Sequence, residues 1–488
     1  MTRSGAFAAT VAACIAGCAV GPSFKPPAAP SVQGYLPDPL AAITTPATTG
    51  PGGAAATSQR WMPGMNVPEQ WWKLFGSSEL DTLVGEALRQ NPTVQAARAS
   101  LRQAQETAAA ARGSYWPEVD ADYSVSRQHD ATGTLSPALA SGQPVYTLHT
   151  AQLSVSYLFD VFGGNRRRVE SLESSAEAQR YELEGAKLTL CANVAVTAMQ
   201  WAALAAQTQA TLEIVASERE SLVILRRQYE LGSIPQTDVM AQEAAVAAAE
   251  ASVPALQRQL EEQRHSLAVL TGQFPSESHL TPLDLASLEL PPDLPLSVPA
   301  DLVRQRPDVM AAEAQLHAAT ADVGVAIAAM LPQISLTAQR GGTATQPSQL
   351  FAAGNTFWGG TASFSQTLFS GGALRHQARA ARAAMDEAGA YYRLVVLQAF
   401  QNVADSLTAL QLDGAAMEAA QRSEHAAAAS LAATRSNVEN GTNPYLALLN
   451  AQQTYDNAVV NLLQARASRY SDTVALFAAL GGGWRAPQ

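Results

Sequence analysis

Three short runs bring together residues whose types and spacing could do chemistry. Near the start, Ile15-Ala16-Gly17-Cys18 closes an alanine-rich apolar stretch whose only charge is Arg3. Small residues before a cysteine suit a signal peptidase, and the Cys18 sulfur would accept a diacylglycerol before becoming residue one of the mature chain. The stretch is too short to span a bilayer as a helix. A secretory signal cut nearby, leaving a free thiol, is the other reading. The second run is Gly232-Ser-Ile-Pro235-Gln-Thr-Asp238, preceded by Arg226, Arg227 and Tyr229. The third runs from Glu439 through Gly441, Pro444 and Leu446 to Asn450. Each of these two places charged or polar side chains beside a glycine and a proline, where helices end and begin.

Other chemistry finds no footing. The seven histidines are scattered without metal-ligand spacing, and no phosphate loop, nucleophile elbow or HExxH motif is present. Of the three cysteines, Cys14 lies in the segment to be discarded and Cys191 lies in a helical stretch, so no disulfide framework exists. Cys191 reads as a small packed residue. Loss of Arg3 with residues 1–17 takes the formal net charge from −11 to −12, which argues against a nucleic-acid partner.

The elements that must position the two polar runs are long helical hairpins. From Ala373 to Leu480 the only proline is Pro444, and the only glycines are Gly389, Gly414 and Gly441. The spacing predicts one helix from Ala373 to about Asn440, about 100 Å long at about 1.5 Å per residue, a turn at Gly441, and a second helix started by Pro444. Val396, Phe400, Val403, Leu407 and Leu410 follow the 4, 3, 4, 3 spacing of a left-handed coiled coil. A plain coiled-coil stalk would show the same stripe.

The pattern occurs twice. Asn91-Pro92 matches Arg306-Pro307 and Trp116-Pro117 matches Leu331-Pro332 at an offset of 215, while Gly232 and Pro235 match Gly441 and Pro444 at 209. Each half reads as helix, strand, loop, strand, long helix, turn, long helix. The division expected is a signal at 1–17, a lipidated proline-rich arm at 18–68, a first repeat at 69–272, a linker at 273–299, a second repeat at 300–483 and a tail at 484–488. The arm, with ten prolines in 19–68 and no periodicity, is expected to be extended and tethered by its lipid.

Between the helices lie runs of strict alternation. Val119, Ala121, Tyr123 and Val125 alternate with Asp120, Asp122, Ser124 and Ser126; Leu153, Val155 and Tyr157 with Gln152, Ser154 and Ser156; Ile334, Leu336 and Ala338 with Ser335, Thr337 and Gln339; and Trp358, Ala362 and Phe364 with Thr361, Ser363 and Ser365. One apolar and one small-polar face fits a transmembrane β-barrel with a wet interior, as it fits hairpins half-buried on a soluble core. Four strands cannot close a membrane barrel, which tolerates no open edge and takes about 8 strands or more. Two copies giving eight strands or three giving twelve both satisfy closure. The fold class expected is therefore α+β: four membrane strands per protomer on long coiled-coil helices, internally duplicated.

Trp71-Trp72-Lys73-Leu74-Phe75, Arg306-Pro307-Asp308-Val309, Leu368-Phe369-Ser-Gly-Gly372, Gly441-Thr-Asn-Pro-Tyr-Leu-Ala-Leu-Leu-Asn-Ala-Gln452 and Ala479-Leu-Gly-Gly-Gly-Trp484 resemble the TolC-type outer-membrane efflux factors. The likeness covers the mature chain, nearest to the lipid-anchored NodT and OprM-like branch serving tripartite resistance-nodulation-division pumps. It implies a homotrimer with a twelve-stranded barrel and a helical tunnel, in the outer membrane and periplasm. It further implies a periplasmic adaptor and an inner-membrane transporter as partners, and no cofactor beyond the lipid on Cys18. Ala19 after the cysteine, where bacterial lipoproteins held at the inner membrane carry aspartate, favours the outer membrane.

By the same resemblance, loops 128–146 and 341–357 face outside and 273–299 joins a belt around the tunnel. The tip turns Gly232, Pro235, Gly441 and Pro444 carry the gate. Carried over by position, Asp238 stands at an acidic tip position and Leu446 at an apolar constriction, while Asn450 departs from the aspartate common in that branch. Arg226, Arg227 and Tyr229 are expected to pair with Asp238 or Glu439 between hairpins. The same architecture would also serve a type I protein secretion conduit, and a lipid-anchored scaffold would keep the helices without the membrane strands.

Overall fold

A computed structural model describes residues 19–32, 34–37, 59–129 and 145–484. The signal, Cys18, Gln33, residues 38–58, the loop 130–144 and the last four residues lie outside the described part.

In chain order the elements are β1 (Arg60–Pro63), a 3₁₀ turn (Trp71–Phe75), α1 (Ser78–Gln90), α2 (Pro92–Arg112), β2 (Glu118–His129), β3 (Val145–Phe159), α3 (Gly164–Glu230), α4 (Gln236–Leu270), β4 (Asp293–Leu296), α5 (Pro299–Gln305), α6 (Pro307–Ala328), β5 (Gln333–Ala344), β6 (Thr356–Ser365), α7 (Ala373–Glu439) and α8 (Tyr445–Ala479). The duplication is metrical as well as topological: α3 and α7 each have 67 residues, and α4 and α8 each have 35.

The chain divides into two units. The first, residues 1–27, 100–179 and 312–392, holds a four-stranded antiparallel sheet in the order β2-β3-β5-β6. Its register sorts the alternating residues onto two consistent faces. Glu118 faces Ser156, which faces Thr337, which faces Thr361; Asp120 lines up with Ser154 and Gln339. On the other face Val119 lines up with Val155 and Ala338, and Ala121 with Leu153, Arg340 and Trp358. From Ile334 to Arg340 the apolar face of β5 runs about 20 Å at about 3.3 Å per residue. The exposed Trp116, Phe364, Leu368 and Phe369 gather near one end of this band, and Trp358 lies at the other.

The strands are longer than alternation alone suggests. Gln128 pairs with Tyr146, and Gly341 and Gly342 pair with Phe357 and Thr356, so these residues belong to strands and the second loop shrinks to residues 345–355. β2 and β6 are left as edges. Strand directions alternate through the four, so the β6 edge of one copy meets the β2 edge of another antiparallel, and rings of copies close without a mismatch.

The second unit, residues 28–99, 180–311 and 393–488, contains both hairpin turns, all of α4 and α8, and the greater part of α3 and α7. Val396, Val403, Leu407 and Leu410 form the buried seam of α7, and Phe400 is half-buried under Tyr35, with ring centroids 5.5 Å apart. In α3 an 18-residue window reaches a mean hydropathy of 1.4, enough for a membrane helix, but 44% of it is buried inside the protein. Val194, Ala195, Ala198 and Met199 there are completely buried. An aromatic core closes the base of the unit: Trp71 and Phe75 are fully buried against Phe477. The C-terminal glycines fit this core because a side chain would not. A Cβ on Gly481 would stand 2.1 Å from the Gln305 carbonyl oxygen, and one on Gly483 would stand 2.3 Å from that of Pro68.

The described parts of the N-terminal arm are extended, and they are not free. β1 pairs in parallel with β4 of the linker, the Tyr35 hydroxyl donates to the Ser297 carbonyl at 3.1 Å, and residues 19–24 pack on the first unit. Proline content hid these contacts, because they run through backbone atoms and isolated rings and leave no periodic pattern.

Candidate functional site at the helical tip

Both hairpins turn by one device. Gly232 (φ 72°) and Gly441 (φ 71°) adopt left-handed backbone, which glycine enters without a Cβ penalty. The next residue then reaches back across the helix end: Ser233 N–H donates to Gln228 O at 3.0 Å and Thr442 N–H to Asn437 O at 2.9 Å. Each hydroxyl repeats its own backbone bond, at 2.7 and 2.8 Å respectively. Pro235 and Pro444 sit at the N-cap, one residue before α4 and α8 begin. Their ring fixes φ for the entry, and they sit where a helical N–H would have no partner.

The first hairpin is stapled to itself. Leu222, Leu225, Val239 and Val246 form a buried cluster between α3 and α4, with Ile234 and Tyr445 against it. Beside it run two ion pairs a heptad apart, Arg219 to Glu250 at 2.7 Å and Arg226 to Glu243 at 2.8 Å.

What joins the second hairpin to the first is a buried polar chain. The Tyr445 hydroxyl, at the first residue of α8, donates to Gln242 Oε1 at 2.8 Å. Gln242, fully buried on α4, uses its amide nitrogen to donate to the Glu218 carbonyl oxygen of α3 at 2.9 Å, and also to the Glu218 carboxylate. Burial pushes the Tyr445 phenol up to about 12, with the charges of Glu218 and Asp238 adding to it, so the donor keeps its proton at any physiological pH. Next to this chain a groove of about 370 Å³ is lined by Glu218, Ser221, Leu225, Arg435, Glu439 and Tyr445.

About three turns farther along α8, at about 3.6 residues per turn, the same network meets a second carboxyl. Burial pushes Asp456 up to about 6; the Glu218 charge adds to this and a 3.0 Å hydrogen bond from Gln452 opposes it. A carboxyl whose folded value lies above its unfolded one holds extra protons in the folded state, so this contribution to stability is complete below about pH 4 and lost as pH rises through about 6. Asp456→Asn is expected to flatten that part of the profile, measured as the loss of helical circular dichroism against temperature between pH 4 and 7.

The residues singled out from sequence fall unevenly on this geometry. Asp238 is half-buried in the first turn of α4 and near enough to Tyr445 to raise its pKa. Arg226 pairs with Glu243 across the first hairpin, and Arg227 pairs with Glu230 on its own helix at 3.0 Å with both side chains mostly exposed. Within one protomer neither pairs with Asp238 or Glu439. Tyr229, Glu439, Leu446 and Asn450 are exposed. Glu218, Gln242 and Tyr445 were not singled out, since polar residues on an alanine-rich helix look like a solvated face. Cys191 is buried, and burial pushes its thiol up to about 12, which suits packing and disfavours thiolate chemistry.

Comparison with known proteins fits this architecture. The profile of the family described as Outer membrane efflux protein matches residues 83–273 and 298–482, one block in each half. A pyoverdine export outer membrane protein, OpmQ of Pseudomonas putida, is 32% identical over 86% of this chain and 89% of its own. The probable outer membrane lipoprotein SilC of Salmonella typhimurium is 25% identical over 85% of this chain and 88% of its own. The solved structure of the outer-membrane channel OprN superposes with a TM-score of 0.83 at 29% identity, covering 96% of this chain and all of that one. With the family profile spanning both repeats and the membrane sheet and paired hairpins in place, the chain belongs to the outer membrane efflux protein family, as a channel component of an efflux system in the outer membrane.

Proposed function

We propose that three copies of this chain close a twelve-stranded barrel and a tunnel of helical hairpins, and that the tunnel passes small molecules outward passively and is shut at its periplasmic tip. The observation that carries this reading is the four-stranded sheet with two open edges and two consistent faces, one apolar and one polar. Bilayer strands must pair at every edge, so the sheet requires neighbours. The protein acts as a conduit without catalysis of its own. It takes its drive from an inner-membrane transporter through a periplasmic adaptor, and carries no cofactor beyond the lipid on Cys18. The likeness to the lipoprotein SilC supports the lipid, as does the small-residue run before Cys18.

At the tip, the Tyr445–Gln242–Glu218 chain ties the second hairpin to the first, Leu446 narrows the opening, and Asp238 supplies negative charge. Arg226, Arg227, Tyr229 and Glu439 are the side chains proposed to meet neighbouring copies at the tip. Asn450 gives a ring of amides in place of carboxylates, which keeps hydrogen bonding and removes charge.

The polar face of the sheet decides which ions pass most easily. Glu118, Asp120 and Asp122 share it with serine, threonine and glutamine, so three copies line the pore with nine carboxylates. In planar bilayers under a salt gradient the wild-type reversal potential is expected on the cation-selective side. Glu118→Gln with Asp120→Asn and Asp122→Asn is expected to move it toward zero with little change in conductance. A channel whose selectivity ignores these substitutions would place that face away from the lumen, and a protein that forms no pore would sink the whole reading.

A further inference from the structure

The first residues after Cys18 occupy a built seat on the barrel unit. Val20 N–H donates to Phe162 O at 3.0 Å, and Val20 O accepts from Arg167 Nε at 3.2 Å, so both backbone groups of that residue are satisfied as they would be in a sheet. Glycines make the approach possible. A Cβ on Gly163 would lie 2.6 Å from Ala19 Cα, one on Gly21 would lie 2.5 Å from Gly324 Cα, and one on Gly324 would lie 2.9 Å from Val20 O. Gly21 (φ 93°) and Gly163 (φ 78°) also sit in left-handed backbone.

The far end of the seat is aromatic and charged. Phe24 stacks on His317 with centroids 4.3 Å apart and planes 12° from parallel. His317 Nε2 lies 3.0 Å from Glu170 Oε1, and Arg167 Nη1 donates to Glu170 Oε2 at 2.8 Å. Burial would raise the Glu170 carboxyl, but the hydrogen bonds from His317 and Arg167 outweigh it and hold it low. Arg167, buried at 6% exposure, therefore bridges the arm backbone and the Glu170–His317 pair. A solvated linker needs none of this: three glycines at van der Waals limits, a buried arginine and a stacked pair converge on six residues.

We propose that Gly163, Arg167, Glu170, His317 and Gly324 form an anchor seat that holds residues 19–24 at the corner between β3 and α3, and so fixes the acylated N-terminus against the barrel rim. The inference rests on the lipid at Cys18. Ala19 is one peptide bond from that residue, and adjacent Cα atoms lie about 3.8 Å apart, so acyl chains on Cys18 are leashed to the corner where β3 ends at Phe159. A lipid held there enters the membrane beside the strands, and membrane binding of the anchor becomes an intramolecular aid to inserting the sheet. Arg167, Glu170 and His317 are positioning residues, acting through the arm.

The test uses the full chain expressed with its signal, and reads two quantities: the intact mass of the N-terminal peptide, and the number of detergent-resistant oligomers inserted in the outer membrane. Gly21→Val alters only the arm, and Gly324→Val alters only the seat. Both are expected to keep the lipid and to lower inserted oligomers as far as Cys18→Ser does. In a Phe24→Cys, His317→Cys pair, oligomer number is expected to fall while the thiols are reduced and to recover when they are oxidised to a disulfide, which a packing defect in the barrel would not do. Acylated seat variants that insert as well as wild type, or a double-cysteine pair indifferent to oxidation, would overturn the seat alone. An unmodified N-terminus in the wild type would overturn the lipid assignment and the seat's role with it.

Discussion

Tyr445→Phe combined with Gln242→Leu opens the resting channel: single-channel conductance in planar bilayers is expected to rise several-fold over wild type at neutral pH. The reason is local. Tyr445 is the residue through which α8 hydrogen-bonds the first hairpin, and Gln242 is fully buried with both ends of its amide in use. Removing the hydroxyl alone leaves a buried acceptor unmatched, at about 1–3 kcal/mol. If three copies move together the effect multiplies to about 3–9 kcal/mol, and every 1.4 kcal/mol is about a factor of ten in the open population. Replacing both partners by apolar groups removes the specific tie while leaving Leu222, Leu225, Val239 and Val246 packed. Arg227→Ala serves as the contrast. Its partner Glu230 lies on the same helix and both are mostly exposed, so within a protomer it contributes about 0–1 kcal/mol. A raised conductance in Arg227→Ala would assign that side chain to a contact between copies. Unchanged conductance in the double variant would show that the gate is held elsewhere.

The largest effect on stability is expected at Arg469. This arginine of α8 is 2% exposed, and its guanidinium donates to the Leu410 carbonyl oxygen of α7 beside Asp413 and Asp472. Burial, together with the neighbouring Asp472 carboxyl and its charge, pushes Asp413 up to about 7, against the pull of Arg469. Arg469→Met leaves two acidic groups without their cation and a buried carbonyl without its donor, and is expected to destabilise the helical unit by about 3–5 kcal/mol. Thermal unfolding followed by far-ultraviolet circular dichroism measures it. Adding Asp413→Leu removes one of the stranded acids and is expected to recover part of the loss. A melting temperature indifferent to Arg469→Met would mean that the guanidinium is replaced by water without cost.

Much of this architecture can be read from the residues because it is periodic. The heptad stripe from Val396 to Leu410 is the buried seam of α7, the alternation at Val119 to Ser126 is the two-faced strand β2, and the Gly–Pro spacing marks both tip turns. Long elements repeat their signal many times, so the expected helix from Ala373 to about Asn440 meets the observed α7, Ala373–Glu439, to within a residue. The interactions that join elements lack that redundancy. Tyr445 and Gln242 are 203 residues apart, and each looks like an ordinary polar residue on its own helix. Arg469 carries no sequence sign of burial, since only the meeting of α7 and α8 excludes water from it. The arm at 18–68 reads as a tether because proline and glycine erase periodicity, and the seat of residues 19–24 depends on glycines whose missing side chains leave room for another backbone.

Native mass spectrometry of the protein extracted from membranes in detergent tests the central claim most directly, since closure of the sheet fixes the number of copies. A particle of three chains, twelve strands in all, is expected, with the singly folded chain absent from the membrane fraction. A particle of two chains would contradict the barrel described here, and a monomer released freely in the periplasmic fraction would contradict the channel itself.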